Sequence, residues 1–139
     1  MDEPVPPLTP VPTPSPTPVP PGIVHVSTNS SSLAAGEPLR VSVAIGQVLF
    51  PPFDAYAVIL GPPGVYSIQF GNYLVPGVSP IARGIFFLPA GYYATLLDMA
   101  VPPGVAGDYQ AIVGLAETGT KVTGAQNAFE WDVAYFSVR

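Results

Sequence analysis

The stretch Leu39-Arg40-Val41-Ser42-Val43-Ala44-Ile45 decides how this chain is read. Successive side chains of a β-strand point to opposite faces, so Leu39, Val41, Val43 and Ile45 fall on one face. That face is predicted to be core, with Arg40 and Ser42 on the other. Ala35-Gly36-Glu37-Pro38 forms a turn in front of it, and Pro51-Pro52 breaks the chain behind it.

Outward from this strand, short β runs recur between glycine and proline punctuation. Ile23–Val26 reads as a first strand, ended by the polar cluster Ser27–Ser32. Ala55–Leu60 is an almost continuous apolar run, turned by Gly61-Pro62-Pro63-Gly64 into Val65–Phe70. A long irregular crossing, Gly71–Ala90, follows, with a short strand expected at Ile85–Leu88. Tyr92–Met99, Tyr109–Leu115 and Phe129–Val138 complete seven or eight strands. No stretch carries helical periodicity of useful length. The expected fold is an all-β antiparallel sandwich of Ig-like type. Leu39, Val41, Val43, Tyr109, Val113, Leu115, Phe136 and Val138 are predicted to be buried.

The first 21 residues are different material. Between Pro4 and Pro21 proline alternates with Val, Thr and Ser, which removes amide donors and fixes φ, so neither helix nor central strand can form. Residues 1–21 are read as a polyproline II linker with a rise of about 3.1 Å per residue, and 22–139 as the domain. The linker reads as a solvated spacer suited to O-glycosylation, with a docked recognition peptide as the second reading. Donation of a strand by residues 4–21 is disfavoured by the missing amide donors.

Charged residues are only 9% of the chain, against a usual ~25%. The four cations, Arg40, Arg83, Lys121 and Arg139, are scattered and the net charge is −5, which excludes nucleic-acid binding by a basic patch. No apolar run approaches the length of a membrane-spanning helix, so no membrane insertion is expected. There is no cysteine, hence no disulfide framework and no thiolate metal site. Met1-Asp2-Glu3-Pro4 does not read as a signal peptide. With the tether and the low charge, the expected place is nonetheless extracellular or on a cell surface, the sequence then being a mature or shortened form.

Several segments carry a resemblance. Gly36-Glu37-Pro38-Leu39-Arg40-Val41-Ser42-Val43 resembles the entry to the second strand of bacterial Ig-like and fibronectin type III-like domains. Pro102-Pro103-Gly104 with Gly107-Asp108-Tyr109-Gln110-Ala111 resembles their penultimate strand, and Tyr135-Phe136-Ser137-Val138 their closing strand. The resemblance implies a repeat or accessory module of a larger secreted or surface-exposed bacterial protein. It also implies a structural role for Tyr109, whose hydroxyl would bond back across the corner, with Gly107 supplying the preceding turn. The chain departs from antibody-type domains in lacking a cysteine pair and in placing its one tryptophan in the last strand.

Little in the sequence offers catalytic chemistry. His25 is the single histidine, and there is no Gly-x-Ser-x-Gly elbow or phosphate-cradling glycine loop. Glu130 and Asp132 share one face of a strand about 7 Å apart, which superficially suits a glycosidase pair, but carboxylates flanking Trp131 on a solvated face explain them as well. Asp98, Asp108 and Glu117 are the loop carboxylates that could hold calcium, without any Asp-x-Asp spacing. The expectation is a protein that is not an enzyme and needs no cofactor.

Three strands, Ala55–Leu60, Tyr109–Leu115 and Phe129–Val138, are apolar on both faces, yet a sandwich has one interior. Their outer face is expected to be covered by the Gly71–Ala90 crossing or by another molecule. In the last strand, Phe136 and Val138 in the core put Trp131 and Tyr135 outside, the reverse register buries them, and a bulge within Phe129–Val133 would reconcile both. The expected function is a structural or adhesive module that binds a protein partner, or a second copy of itself, through this apolar sheet face and builds a larger assembly. A carbohydrate-binding module tethered to an enzyme is the alternative, with Trp131, Tyr135 and Tyr56 stacking on a polysaccharide.

Overall fold

The computed structural model describes residues 23–46, 52–123 and 127–139. The linker read at 1–21 lies outside the described residues. Ten strands follow in order: β1 (Val24–Thr28), β2 (Ser32–Leu33), β3 (Pro38–Ile45), β4 (Phe53–Gly61), β5 (Gly64–Gln69), β6 (Tyr73–Pro76), β7 (Pro80–Ile85), β8 (Tyr93–Ala100), β9 (Gly107–Glu117) and β10 (Glu130–Val138). They form a three-stranded sheet, β1-β3-β8, and a larger sheet, β2-β10-β9-β4-β5-β6, with β7 paired to β4. The architecture is an all-β sandwich.

β3 shows why the two layers close. Leu39, Val41, Val43 and Ile45 are all buried on its inner face. β9 opposes them with Tyr109, Ala111, Val113 and Leu115, and β10 with Phe136 and Val138, all buried. The eight residues predicted as core are core. Burying each such side chain stabilises by about 1.5–3 kcal/mol relative to exposure. Between β3 and β8 the pairing steps from Val41↔Leu97 to Ser42↔Thr95, so Leu96 is the extra residue of a bulge.

The N-terminal segment serves both sheets. β1 pairs antiparallel with β3 through Val24↔Ile45 and Val26↔Val43. The polar cluster Ser27–Ser32 does not simply end it: β1 continues to Thr28, and Ser32–Leu33 joins the larger sheet parallel to the end of β10. Ser137 N donates to Ser31 O at 2.9 Å, and Arg139 N to Leu33 O at 2.8 Å. The switch is turned by Asn29, which accepts from Arg40 N at 2.7 Å and donates to Pro38 O at 2.9 Å.

The Gly71–Ala90 crossing is more regular than the sequence suggests. It contains β6 and β7, and the strand expected at Ile85–Leu88 lies earlier, at Pro80–Ile85. β7 pairs with the first half of β4 (Phe53↔Ile85, Ala55↔Ala82), while β5 takes the second half (Val58↔Ser67 to Gly61↔Gly64). The crossing therefore extends the larger sheet sideways, and its Gly77–Ser79 turn folds over the outer side of β5, leaving Ser67 fully buried. β10 runs in unbroken register against β9 from Glu130↔Leu115 to Val138↔Gly107. No bulge reconciles the two parities: Phe136 and Val138 face in, and Trp131 and Tyr135 face out.

Because Val43 sits between the layers at 7% exposure, Val43→Asp buries a carboxylate with no partner designed for it, at a cost of several kcal/mol. The variant is expected to lose the β-type circular dichroism of the parent and its cooperative thermal transition. A native-like spectrum and melt would contradict the core assignment.

Candidate recognition face of the larger sheet

The outer face of the larger sheet is built by the second parity of β4, β9 and β10. On β4 these residues are Asp54, Tyr56, Val58 and Leu60, and on β9 Gln110, Ile112, Gly114 and Ala116. Cross-strand register aligns them in rows: Tyr56↔Gly114↔Trp131, Val58↔Ile112↔Val133 and Leu60↔Gln110↔Tyr135. Trp131 and Tyr56, singled out from sequence, thus share one row, and Tyr135 lies on the same face two rows away. Strand spacing puts the β4 and β10 members of a row about 10 Å apart.

Gly114 makes that row a slot. With no side chain between Tyr56 and Trp131, a groove of about 310 Å³ opens, walled by Val58, Leu60, Val65 and Ile112. A Cβ at Gly114 would sit 3.4 Å from the Ala128 Cβ and 3.6 Å from the Trp131 Cβ. Among the described residues no charged side chain lines the groove. Tyr56 forms its floor at 9% exposure, so it is a buried wall and not a free-standing platform, whereas Trp131 is 48% and Tyr135 66% exposed.

Val78 and Gly114 were not legible as site residues. Val78 reaches the groove because Ser67, fully buried on β5, holds the turn that carries it: its Oγ donates to Gly77 O at 2.7 Å and accepts from Ser79 N at 2.8 Å. At the far end of the β4 row, the buried Asp54 carboxylate accepts from Gly84 N at 2.9 Å and from Thr118 Oγ1 at 3.3 Å. It thereby ties β7 and the segment after β9 to the edges of the face. Val122, Thr123 and Ala128 from that segment complete the rim.

The carboxylates weighed for chemistry do not converge. Asp132 turns to the inner side, where Oδ2 accepts from Val26 N at 2.8 Å, so it satisfies an amide of β1. Asp98 pairs with Arg40 at 3.4 Å, and Asp108 and Glu117 stand at opposite ends of β9. Among the described residues no group of three or more His, Cys, Asp or Glu side chains could hold a metal ion. His25 is exposed on β1.

Tyr109 and Gly107 lie at the other end of the larger sheet. The Tyr109 hydroxyl donates to Val105 O at 2.5 Å, and the ring stacks on Phe136 with centroids 5.4 Å apart and planes 13° apart. Gly107 has φ +144°, and a Cβ there would meet Pro62 Cγ at 2.5 Å. A Cβ on Gly61 would penetrate the Tyr109 ring. Burial, with the neighbouring Tyr66 adding to it, holds the Tyr109 phenol above its ordinary value of 10.0.

No protein-family model and no curated protein matches the chain.

Gly61→Ala is expected to destabilise by about 1–3 kcal/mol, the usual cost of overpacking, read as a lower urea midpoint with unchanged slope. Tyr109→Phe removes a net hydrogen bond and should cost about 1 kcal/mol. Its pH signature is separate. Above pH 10.0 the unfolded chain releases the Tyr109 proton while the folded chain still holds it, so stability falls as pH rises through that window. Tyr109→Phe should flatten this decline; an identical decline in both proteins would show that the phenol does not contribute to it.

Proposed function

We propose that this chain is a non-catalytic structural or adhesive module, of the Ig-like and fibronectin type III-like kind found in secreted or surface-exposed bacterial proteins. Its interaction surface is the outer face of the larger sheet, and its partner is a protein surface of the same character, in the first instance a second copy. The observation that carries this reading is the uncharged aromatic groove between Tyr56 and Trp131, continued by the exposed side chains of Leu60 and Tyr135. Contiguous exposed apolar surface on a chain with so few charges favours association. The division of β1 and β2 between the sheets and the Tyr109 corner support the Ig-like comparison, and the proline-threonine tether supports display away from a surface.

A specific observation favours the second reading, a carbohydrate-binding module. Trp131 and Tyr135 present half-exposed or more exposed rings on one face, four residues apart along β10, and sugar faces stack on such rings. Retardation of the chain in gels containing soluble polysaccharide, abolished by Tyr135→Ala, would support it over self-association.

For the primary reading, light scattering of the full chain should give an apparent mass that rises with concentration from 14.4 kDa towards that of a dimer. The rise should be alike in low and high salt, because among the described residues no charged side chain lines the groove to be screened. Trp131→Asp should hold the protein at the monomer mass. A chain that stays monomeric at every concentration and salt would overturn self-association.

A further inference from the structure

The groove and the start of the domain lie at the same end of the sandwich. Ile23 is fixed by Gly46 N, which donates to Ile23 O at 2.8 Å. Three residues on, Val26 N donates to Asp132, the residue after Trp131. β1 and β10 run the same way, since Ser32 pairs in parallel with Ser137 further along. The chain before Val24 therefore leaves the domain beside Glu130, at the edge of the strand whose outer side carries Trp131.

What leaves there is Pro14-Ser15-Pro16-Thr17-Pro18-Val19-Pro20-Pro21-Gly22. It bears no charge, as the groove bears none. Its prolines favour polyproline II, which repeats every three residues over about 9 Å, close to the ~10 Å between the β4 and β10 members of the Tyr56–Gly114–Trp131 row. Pro18 and Pro21 stand at that spacing. Aromatic-lined grooves take such helices without needing amide donors from them, so the objection to strand donation does not apply. Gly22 supplies a flexible joint between the stiff segment and β1. Held at this distance, the segment faces the groove at an effective concentration in the millimolar range.

We propose that residues 14–21 dock in the Tyr56–Trp131 groove of their own chain, proline rings filling the slot at Gly114. The proposal rests on the outer face being a recognition surface and names its first occupant. The tether then acts as an internal competitor: a second copy gains the face only by displacing it.

Trp131 is the single tryptophan, so its emission reports the groove directly. The test compares the full chain with a full-length variant carrying Pro14→Ser, Pro16→Ser, Pro18→Ser, Pro20→Ser and Pro21→Ser, both checked for the same circular dichroism. In the parent, Trp131 emission should lie at shorter wavelength and be at least twofold less quenched by acrylamide, and dilution should not change this. A synthetic peptide of residues 12–21 added to the variant should restore the parent's emission in a saturable way. Gly114→Ala, which closes the slot without a clash, should give the parent chain the variant's emission. The serine variant should also self-associate at lower concentration than the parent. Equal emission and quenching in both chains would overturn the docking while leaving the scattering result, and with it the recognition face, to stand or fall separately. A protected Trp131 that becomes exposed on dilution would place another copy, by its tether or by its sheet face, over the groove and overturn docking within one chain.

Discussion

The ring of Tyr109 is held at one corner of the sandwich by three neighbours. Phe136 stacks on it from β10, Gly61 closes against it from the β4–β5 turn, and Val105 takes its hydroxyl. Two segments distant in sequence, at Gly61 and Phe136, meet at one side chain, and the first has to be bare backbone to do so. Gly61 and Gly107 therefore serve close approach as much as turning: Pro62 fills the space that any side chain at Gly107 would need. With this corner fixed, β9 and β10 cannot slip, since a slip of one residue would carry Tyr109 and Phe136 to the outer face. The parity of both strands, and so the identity of the residues on the outer face, follows from it.

Parity is also where the sequence was most and least informative. β3 could be read directly, because its second face is Arg40 and Ser42 and leaves one answer. β9 and β10 are apolar on both faces and admit two, and the choice is made by contacts that lie far apart in the chain: Tyr109 on Phe136, and the Asp132 carboxylate on Val26 N. β2, β6 and β7 are short and take their strand character from the neighbours they pair with, which local pattern does not encode. The groove was legible in part. Aromatic side chains marked Trp131 and Tyr56, but the absent side chain at Gly114 gains meaning only when register sets it between them, and Val78 reaches the rim because its neighbours Gly77 and Ser79 bond to Ser67.

A chain with so few charges has to protect its sheet edges by other means. Natural edges are often blunted with lysine; here single polar side chains do it. β8 is the outermost strand of the smaller sheet, and Asn72, at φ +67°, sets its carboxamide against it: Nδ2 donates to Asp98 O at 2.5 Å and Oδ1 accepts from Asp98 N at 2.7 Å. One side chain thus stands in for a peptide unit of a neighbouring strand. Asp132 does the same for an amide of β1. Both edges of the smaller sheet thus carry a side-chain cap, while the outer face of the larger sheet is left apolar.

The parallel run of β2 beside β10 has a mechanical meaning. Chain direction puts Ile23 and Arg139 at opposite ends of the sandwich, with Ser137 N on Ser31 O and Arg139 N on Leu33 O joining the two terminal segments side by side. Tension applied between these two ends pulls these segments past one another along their length. Such loading shears the linking bonds together instead of opening them singly like a zip, and β1, bonded along its whole length to β3, shares the load. Resistance under these conditions is set by the rate of forced unfolding and not by equilibrium stability. A domain of modest size with no disulfide can in this way be a stiff link in a chain under pull, so long as the pull comes end to end.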